Sequence, residues 1–224
     1  MSHEINWGKY VGLVLFSIFL GFTQASVAFY LRKNLGIEGD PFPLRNHPES
    51  PLGAFSQIES YREITTLFMI IITSLMCSQR PLYRFLVFTF ILGFCVMSYY
   101  VFLRLFSGWP GSLMSFDIIF LFPSLWIAPV LATIILAFTM ASASGILLYA
   151  ARNKSLRSPE LLEWLLVFSG GMIVMYAFLS VELTERSQLP DFSWWVFWIG
   201  YVLGLSGLFS YLVQVIRQSR MRFF

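Results

Sequence analysis

Residues 100–129 read YVFLRLFSGWPGSLMSFDIIFLFPSLWIAP. The run is apolar to Arg104, turns through Gly108-Trp109-Pro110-Gly111, passes Asp117, and resumes as an apolar run broken by Pro123 and Pro129. Either it is the turn between two membrane helices, or it is a site at a membrane surface. The apolar stretch 118–150 is too long for one ordinary crossing of about 20 residues. Two prolines near its start remove backbone donors and interrupt a helix. The spacing therefore predicts a short, proline-broken interfacial segment before the fourth crossing.

Working outward, the composition sets the class. The chain of 224 residues is 57% hydrophobic, 18% aromatic and only 12% charged, with a mean hydropathy of +0.71. Soluble domains carry about 25% charged residues, so these figures point to an integral membrane protein. Six apolar segments follow, at 10–31, 59–79, 82–104, 124–150, 161–181 and 193–215. The expected fold is an all-α integral membrane protein, a six-transmembrane-helix bundle forming a single transmembrane domain over 1–224. The one long loop, 32–58, holds Pro41, Pro43, Pro48 and Pro51.

The first segment could pass for a signal peptide, with Lys9 ahead of it and Ser26-Val27-Ala28 as a cleavage-like site. Its apolar run of about 22 residues exceeds the usual hydrophobic region of such peptides, about 7–15 residues. It is read as a retained helix.

Basic residues orient the bundle. One side carries Lys9, Arg80, Arg84, Arg152, Lys154, Arg157, Arg217, Arg220 and Arg222; the other carries Arg32, Lys33, Arg45, Arg62, Arg104 and Arg186. The acidic residues lean the opposite way, with Glu4, Glu160 and Glu163 against nine on the second side. Both termini are expected in the cytoplasm of an inner-membrane protein, with loop 32–58 and the Gly-Trp-Pro-Gly turn on the outer face.

Polar residues gather at that outer end. In the second segment Glu59, Glu63, Thr66, Ile70, Thr73 and Cys77 recur at three- and four-residue spacing. That spacing is one helical stripe, and a polar stripe in lipid faces the bundle interior. Arg62 lies within a turn of Glu59, and Tyr100 and Arg104 at i,i+4 could stack. Asp117 follows the turn that holds Trp109. The candidate cluster is Glu59, Arg62, Glu63, Tyr100, Arg104, Trp109 and Asp117. Such a group could bind a small polar ligand, relay protons, or hold a cation with His47. Each member also has a plainer reading: the arginines can snorkel to headgroups, and the acids can complement helix dipoles, with Ser115 as an N-cap ahead of Asp117.

Other features are weaker. Trp194, Trp195 and Trp198 suit an interfacial aromatic belt. Gly200-x-x-x-Gly204 and the row Ala137, Ala141, Gly145 suit close helix packing, and Gly170-Gly171 suits a kink or a close contact. Cys77 and Cys95 stand alone in apolar runs and read as small buried residues. The only histidines, His3 and His47, fall outside the spans, so haem is not expected. No phosphate-cradling glycine loop or hydrolase motif occurs. A net charge of +3, with basic residues at helix ends, gives no nucleic-acid surface.

Within residues 59–150 the sequence resembles a family of bacterial multi-pass inner-membrane proteins of no known activity. The resemblance rests on Arg62-Glu63, Tyr99-Tyr100, Arg104, Gly108-Trp109-Pro110, Ser112-Leu113, Asp117, Pro123, Trp126 and Pro129. It departs from that pattern at Cys95-Val96, where the family often carries Trp-Asp. The resemblance implies the topology and the outer cluster as a shared feature, and implies no activity.

The leading expectation is a non-enzymatic accessory or partner-binding membrane protein, because the spans carry almost no ionisable residues at mid-depth. Its partners would be the lipid bilayer and another membrane subunit, with no cofactor. The alternative is a small transporter or channel using the second helix's polar stripe and the broken fourth helix. The third is a membrane enzyme at the outer face, with Glu63 or Asp117 as acid/base.

Overall fold

A computed structural model describes residues 7–34, 36, 51–122, 124–151, 156–181 and 190–221. Among these, the order is α1 (Trp7–Asn34), α2 (Pro51–Cys77), α3 (Pro81–Ser107), β1 (Phe116–Phe120), β2 (Trp126–Pro129), α4 (Val130–Ala150), α5 (Leu161–Leu179) and α6 (Trp194–Met221). All six helices are long and apolar enough to cross a bilayer. The protein is an all-α bundle of membrane-spanning helices with one small β-hairpin between α3 and α4. Most of loop 32–58, including His47, and Pro123 lie outside the described residues, so neither the loop's form nor that proline's role is assigned.

Local chemistry sets the helix ends. α3 begins at Pro81, where a missing N–H costs nothing. It ends at Gly108, whose φ of +73° is the left-handed cap that glycine adopts without strain, and whose N–H reaches the Arg104 carbonyl. α5 opens with a reciprocal capping box between Glu160 and Glu163.

Glycine lets the helices approach. α3 is the hub, with α1 on one side and α4 on the other. A Cβ on Gly21 would fall 2.6 Å from the Cys95 carbonyl oxygen, and one on Gly93 would fall 2.5 Å from that of Ala137. α5 and α6 form a second tight pair, in which Gly170 abuts Gly200 and Gly204. The small-residue rows are thus packing seams, as their spacing predicts. Helix association in lipid depends on such close van der Waals fit, because burial from water contributes little there. α2 lies at the periphery, leaning on α3. Its less exposed face carries Glu59, Glu63, Thr66, Ile70, Thr73 and Cys77, the stripe read from the sequence.

The proline-broken segment is a hairpin. β1 and β2 pair antiparallel with Asp117 opposite Ala128 and Ile118 opposite Ile127, and the register shifts between Ile118 and Phe120. This corrects two expectations. The fourth helix starts at Val130 instead of 124, and Asp117 sits in a strand, not in the first turn of a helix beginning at Ser115. Aromatic and β-branched residues in Phe116-Asp117-Ile118-Ile119-Phe120 favour the extended form. Pairing also satisfies backbone groups that lipid could not. The start of α4 is served in the same way: Val130 N–H donates to the Ser115 carbonyl at 2.9 Å, and Leu131 N–H to that of Leu113 at 2.8 Å.

Candidate functional site

The hairpin end of the bundle brings together side chains from α1, α2, α3 and β1. Asp117 is only 4% exposed. Its Oδ1 takes a hydrogen bond from Arg32 Nη2 at 3.2 Å, an ion pair between β1 and the last turn of α1. The Arg32 guanidinium also lies 3.7 Å from the centre of the Trp109 ring. Trp109 therefore acts by holding the cation in place. Tyr99 O–H reaches Asp117 Oδ2 at 3.5 Å, and Tyr100 packs against Trp109 with centroids 6.4 Å apart. Burial pushes the Asp117 carboxyl above the usual carboxylate range; Arg32 and the tyrosine hydroxyls oppose that rise without cancelling it.

On α2, the Arg62 guanidinium forks onto both Glu59 oxygens, with Nε to Oε2 at 2.8 Å and Nη2 to Oε1. Glu63 Oε2 accepts the Leu121 N–H at 2.8 Å, tying α2 to the end of β1. Gln24 Nε2 donates to Thr66 Oγ1 at 3.0 Å, linking α1 to α2. Between these elements is a cavity of about 240 Å³. Glu59, Arg62, Glu63, Tyr100 and Asp117 all line it, and it extends down to Ile70, Leu92 and Cys95.

Arg104 does not join them. Its guanidinium turns back to the carbonyls of Gly108 and Pro110, the latter at 2.7 Å, and fastens the turn that follows α3. Neither the expected stacking on Tyr100 nor the expected meeting with α2 is formed. Tyr100 is buried while Arg104 is exposed. The cation that does meet Asp117 is Arg32, which sequence reasoning counted only as a loop charge. The proposed cation site with His47 falls outside the described residues. Among those residues, no three His, Cys, Asp or Glu side chains group as metal ligands.

Sequence reasoning also missed a polar cluster at the opposite end. Glu163, 3% exposed, receives Arg157 Nη2 on both oxygens at 2.7 and 2.8 Å and Gln214 Nε2 at 3.1 Å. Tyr211 O–H donates to the Arg157 carbonyl at 2.7 Å, and Leu156 N–H to the Tyr83 hydroxyl at 3.2 Å. This network ties α5, α6 and α3 together. The Glu160-x-x-Glu163 capping spacing was the signal available for it. Between α3–α4 and α5–α6 a second cavity, about 430 Å³, is walled by apolar side chains including Phe85, Leu86, Met140 and Leu208.

Comparison of the chain with models of protein families, with curated proteins and with solved structures finds no match. What stands is a multi-pass membrane protein. The sequence resemblance remains an expectation about residues 59–150.

Proposed function

We propose that the protein is a non-enzymatic accessory or partner-binding protein of the inner membrane, with both termini in the cytoplasm and the hairpin on the outer face. In this reading the charged groups form a clasp that fixes the hairpin over α1, α2 and α3. The observation that carries it is that each acid of the group is engaged within the chain. Glu59 pairs with Arg62, Glu63 takes the Leu121 N–H, and Asp117 pairs with Arg32. A catalytic or transported-ion carboxylate is expected to be poised for substrate, whereas Glu63 and Asp117 fasten one element to another and Glu59 is taken up by Arg62 on its own helix. The basic-residue bias supports the same topology.

The test is Asp117→Asn, which removes the charge and keeps an acceptor for Arg32. Thermal stability in detergent and growth of a strain that depends on the protein are measured together. A clasp predicts that both are kept. Lost growth at unchanged stability overturns the reading in favour of an ion or proton site.

A small transporter is the second reading, favoured by the cavity's reach from the hairpin down to Ile70 and Cys95. It requires that path to continue past Thr73, which does not line the cavity.

A further inference from the structure

α5 and α6 pack tightly on each other but only lightly on α3 and α4. At the Glu163 end Phe85 of α3 meets the Trp164 ring edge-on at 5.2 Å, and further along Thr139 of α4 is hydrogen-bonded to the Tyr201 hydroxyl at 2.8 Å. Beside these contacts runs the apolar cavity of about 430 Å³. On α5 its wall is Trp164, Phe168, Gly171 and Met175, which recur as one helical stripe. Phe168, Gly171 and Met172 are exposed as well as lining it, so the cavity is a groove open sideways to lipid.

Its dimensions narrow the occupant. From Glu163 to Met175 on α5, and from Tyr211 back to Gly200 on α6, the lining residues cover about 17 Å. One leaflet's share of the hydrocarbon core is about 15 Å. Spread over the groove's length, 430 Å³ gives a mean section of about 25 Å². That admits one extended hydrocarbon chain and is far too narrow for a helix about 10–12 Å across.

The wall makes no demand for a polar occupant. The hydroxyls of Thr89, Thr139, Ser144 and Tyr211 and the Glu163 carboxylate are already hydrogen-bonded within the chain. Water there would lack the partners it needs, and an empty groove would forfeit dispersion contact along its whole length. The Glu163 end is also basic: Arg80 and Arg84 lie within a turn of the lining residues Leu82 and Phe85, and Arg217 is exposed near the end of α6. Such charges attract lipid phosphate at a membrane surface.

We propose that this groove holds one acyl chain of a phospholipid from the leaflet at the Glu163 end. The chain's methyl end lies toward Met175 and Gly200, and its phosphate stands at the level of Arg84. The lipid thereby fills the seam between the α3–α4 pair and the α5–α6 pair. This goes beyond the clasp reading, which concerns the opposite end of the bundle; only the naming of that leaflet as cytoplasmic rests on the proposed orientation.

The full chain is purified in detergent and weighed by native mass spectrometry. Each wild-type chain keeps one phospholipid after the lipids around the bundle have been stripped. Gly171→Leu places a side chain where an added Cβ meets nothing within 4 Å, and Ala143→Phe fills the groove from α4. Each variant loses the retained lipid, and its thermal unfolding in phosphatidylcholine nanodiscs shows that it is folded. The wild-type protein decides the matter even if neither variant folds. In nanodiscs containing a phosphatidylcholine with a diazirine midway along its palmitoyl chain, photolysis attaches the lipid to the groove residues Phe88, Met140 and Ala143. The proposal is overturned by a wild-type chain free of lipid, by undiminished retention in the folded variants, or by adducts confined to outward residues such as Ile146 and Leu165. A lipid-free dimer also overturns it and would assign the groove to a second copy of the chain.

Discussion

Arg32 and Asp117, eighty-five positions apart in sequence, meet at 3.2 Å beneath the hairpin. The first is in the last turn of α1 and the second is the second residue of β1, so this pair ties the hairpin to the first helix. Asp117 is the acceptor on which Arg32 and Tyr99 converge. Asp117→Ala should therefore cost about 3 kcal/mol, the usual range for breaking a buried pair. Asp117→Asn should cost under about 1 kcal/mol, since an amide oxygen still accepts. Denaturation of both variants in the same detergent separates these outcomes.

The same carboxyl predicts a pH dependence. Burial raises its folded pKa above the unfolded value of about 4. Protonated Asp117 thus contributes stability that is fully present below the unfolded pKa and is lost as pH rises through the folded one. The thermal midpoint of the wild-type protein should drift downward over that interval relative to Asp117→Asn. The difference between the two curves isolates this group from the others that titrate. A difference of opposite sign would mean that Arg32 outweighs burial.

The packing seams make a steric prediction. Gly93 faces the backbone of α4, where an added Cβ would sit 2.5 Å from the Ala137 carbonyl oxygen and 2.7 Å from the Ala141 nitrogen. Backbone cannot yield as a flexible side chain can, so Gly93→Val should force α3 from α4 and cost at least about 1–3 kcal/mol. Gly171, with nothing within 4 Å of its added Cβ, should accept alanine without loss. Comparing both melting midpoints in one detergent checks the contrast.

These contacts show what the sequence could and could not disclose. The six spans were legible because a bilayer demands long apolar helices, and the glycine seams were legible because close approach in lipid demands small residues. The Arg62–Glu59 pair was legible too, as an i,i+3 neighbour on one helix. The hairpin was not, because 116–129 is apolar on both faces and lacks the alternation that marks a half-buried strand. Arg32 was missed because only the packing of α1 against α3 brings its end to Asp117. Arg104 was misplaced because the carbonyls of the following turn, four and six residues on, compete for its guanidinium against the ring of Tyr100.

Topology can be tested at the exposed turn. Leu113 is exposed between α3 and the hairpin, and Arg217 is exposed near the end of α6. In a background with Cys77→Ser and Cys95→Ser, Leu113→Cys should react with a membrane-impermeant maleimide in intact cells whose outer membrane has been permeabilised. Arg217→Cys should react only after the inner membrane is opened. The reverse pattern would invert the proposed orientation.

The opposite end of the bundle makes the last prediction. Glu163 is buried at the start of α5, where both of its oxygens accept from Arg157 Nη2, one accepts the Gln214 amide, and the other closes the capping box. These roles need two acceptor oxygens, and glutamine has one. Glu163→Gln should therefore lose more stability than Asp117→Asn, whose oxygen still accepts from Arg32 and which gives up only the 3.5 Å contact with Tyr99. The expected cost is about 2–3 kcal/mol, for a charge-assisted hydrogen bond lost in a buried setting. Arg157→Met should recover part of that loss in the double variant, because it removes the guanidinium that Glu163→Gln leaves without its carboxylate. Additive losses in detergent melts would show that Arg157 and Glu163 act separately, and that the capping box alone holds the start of α5.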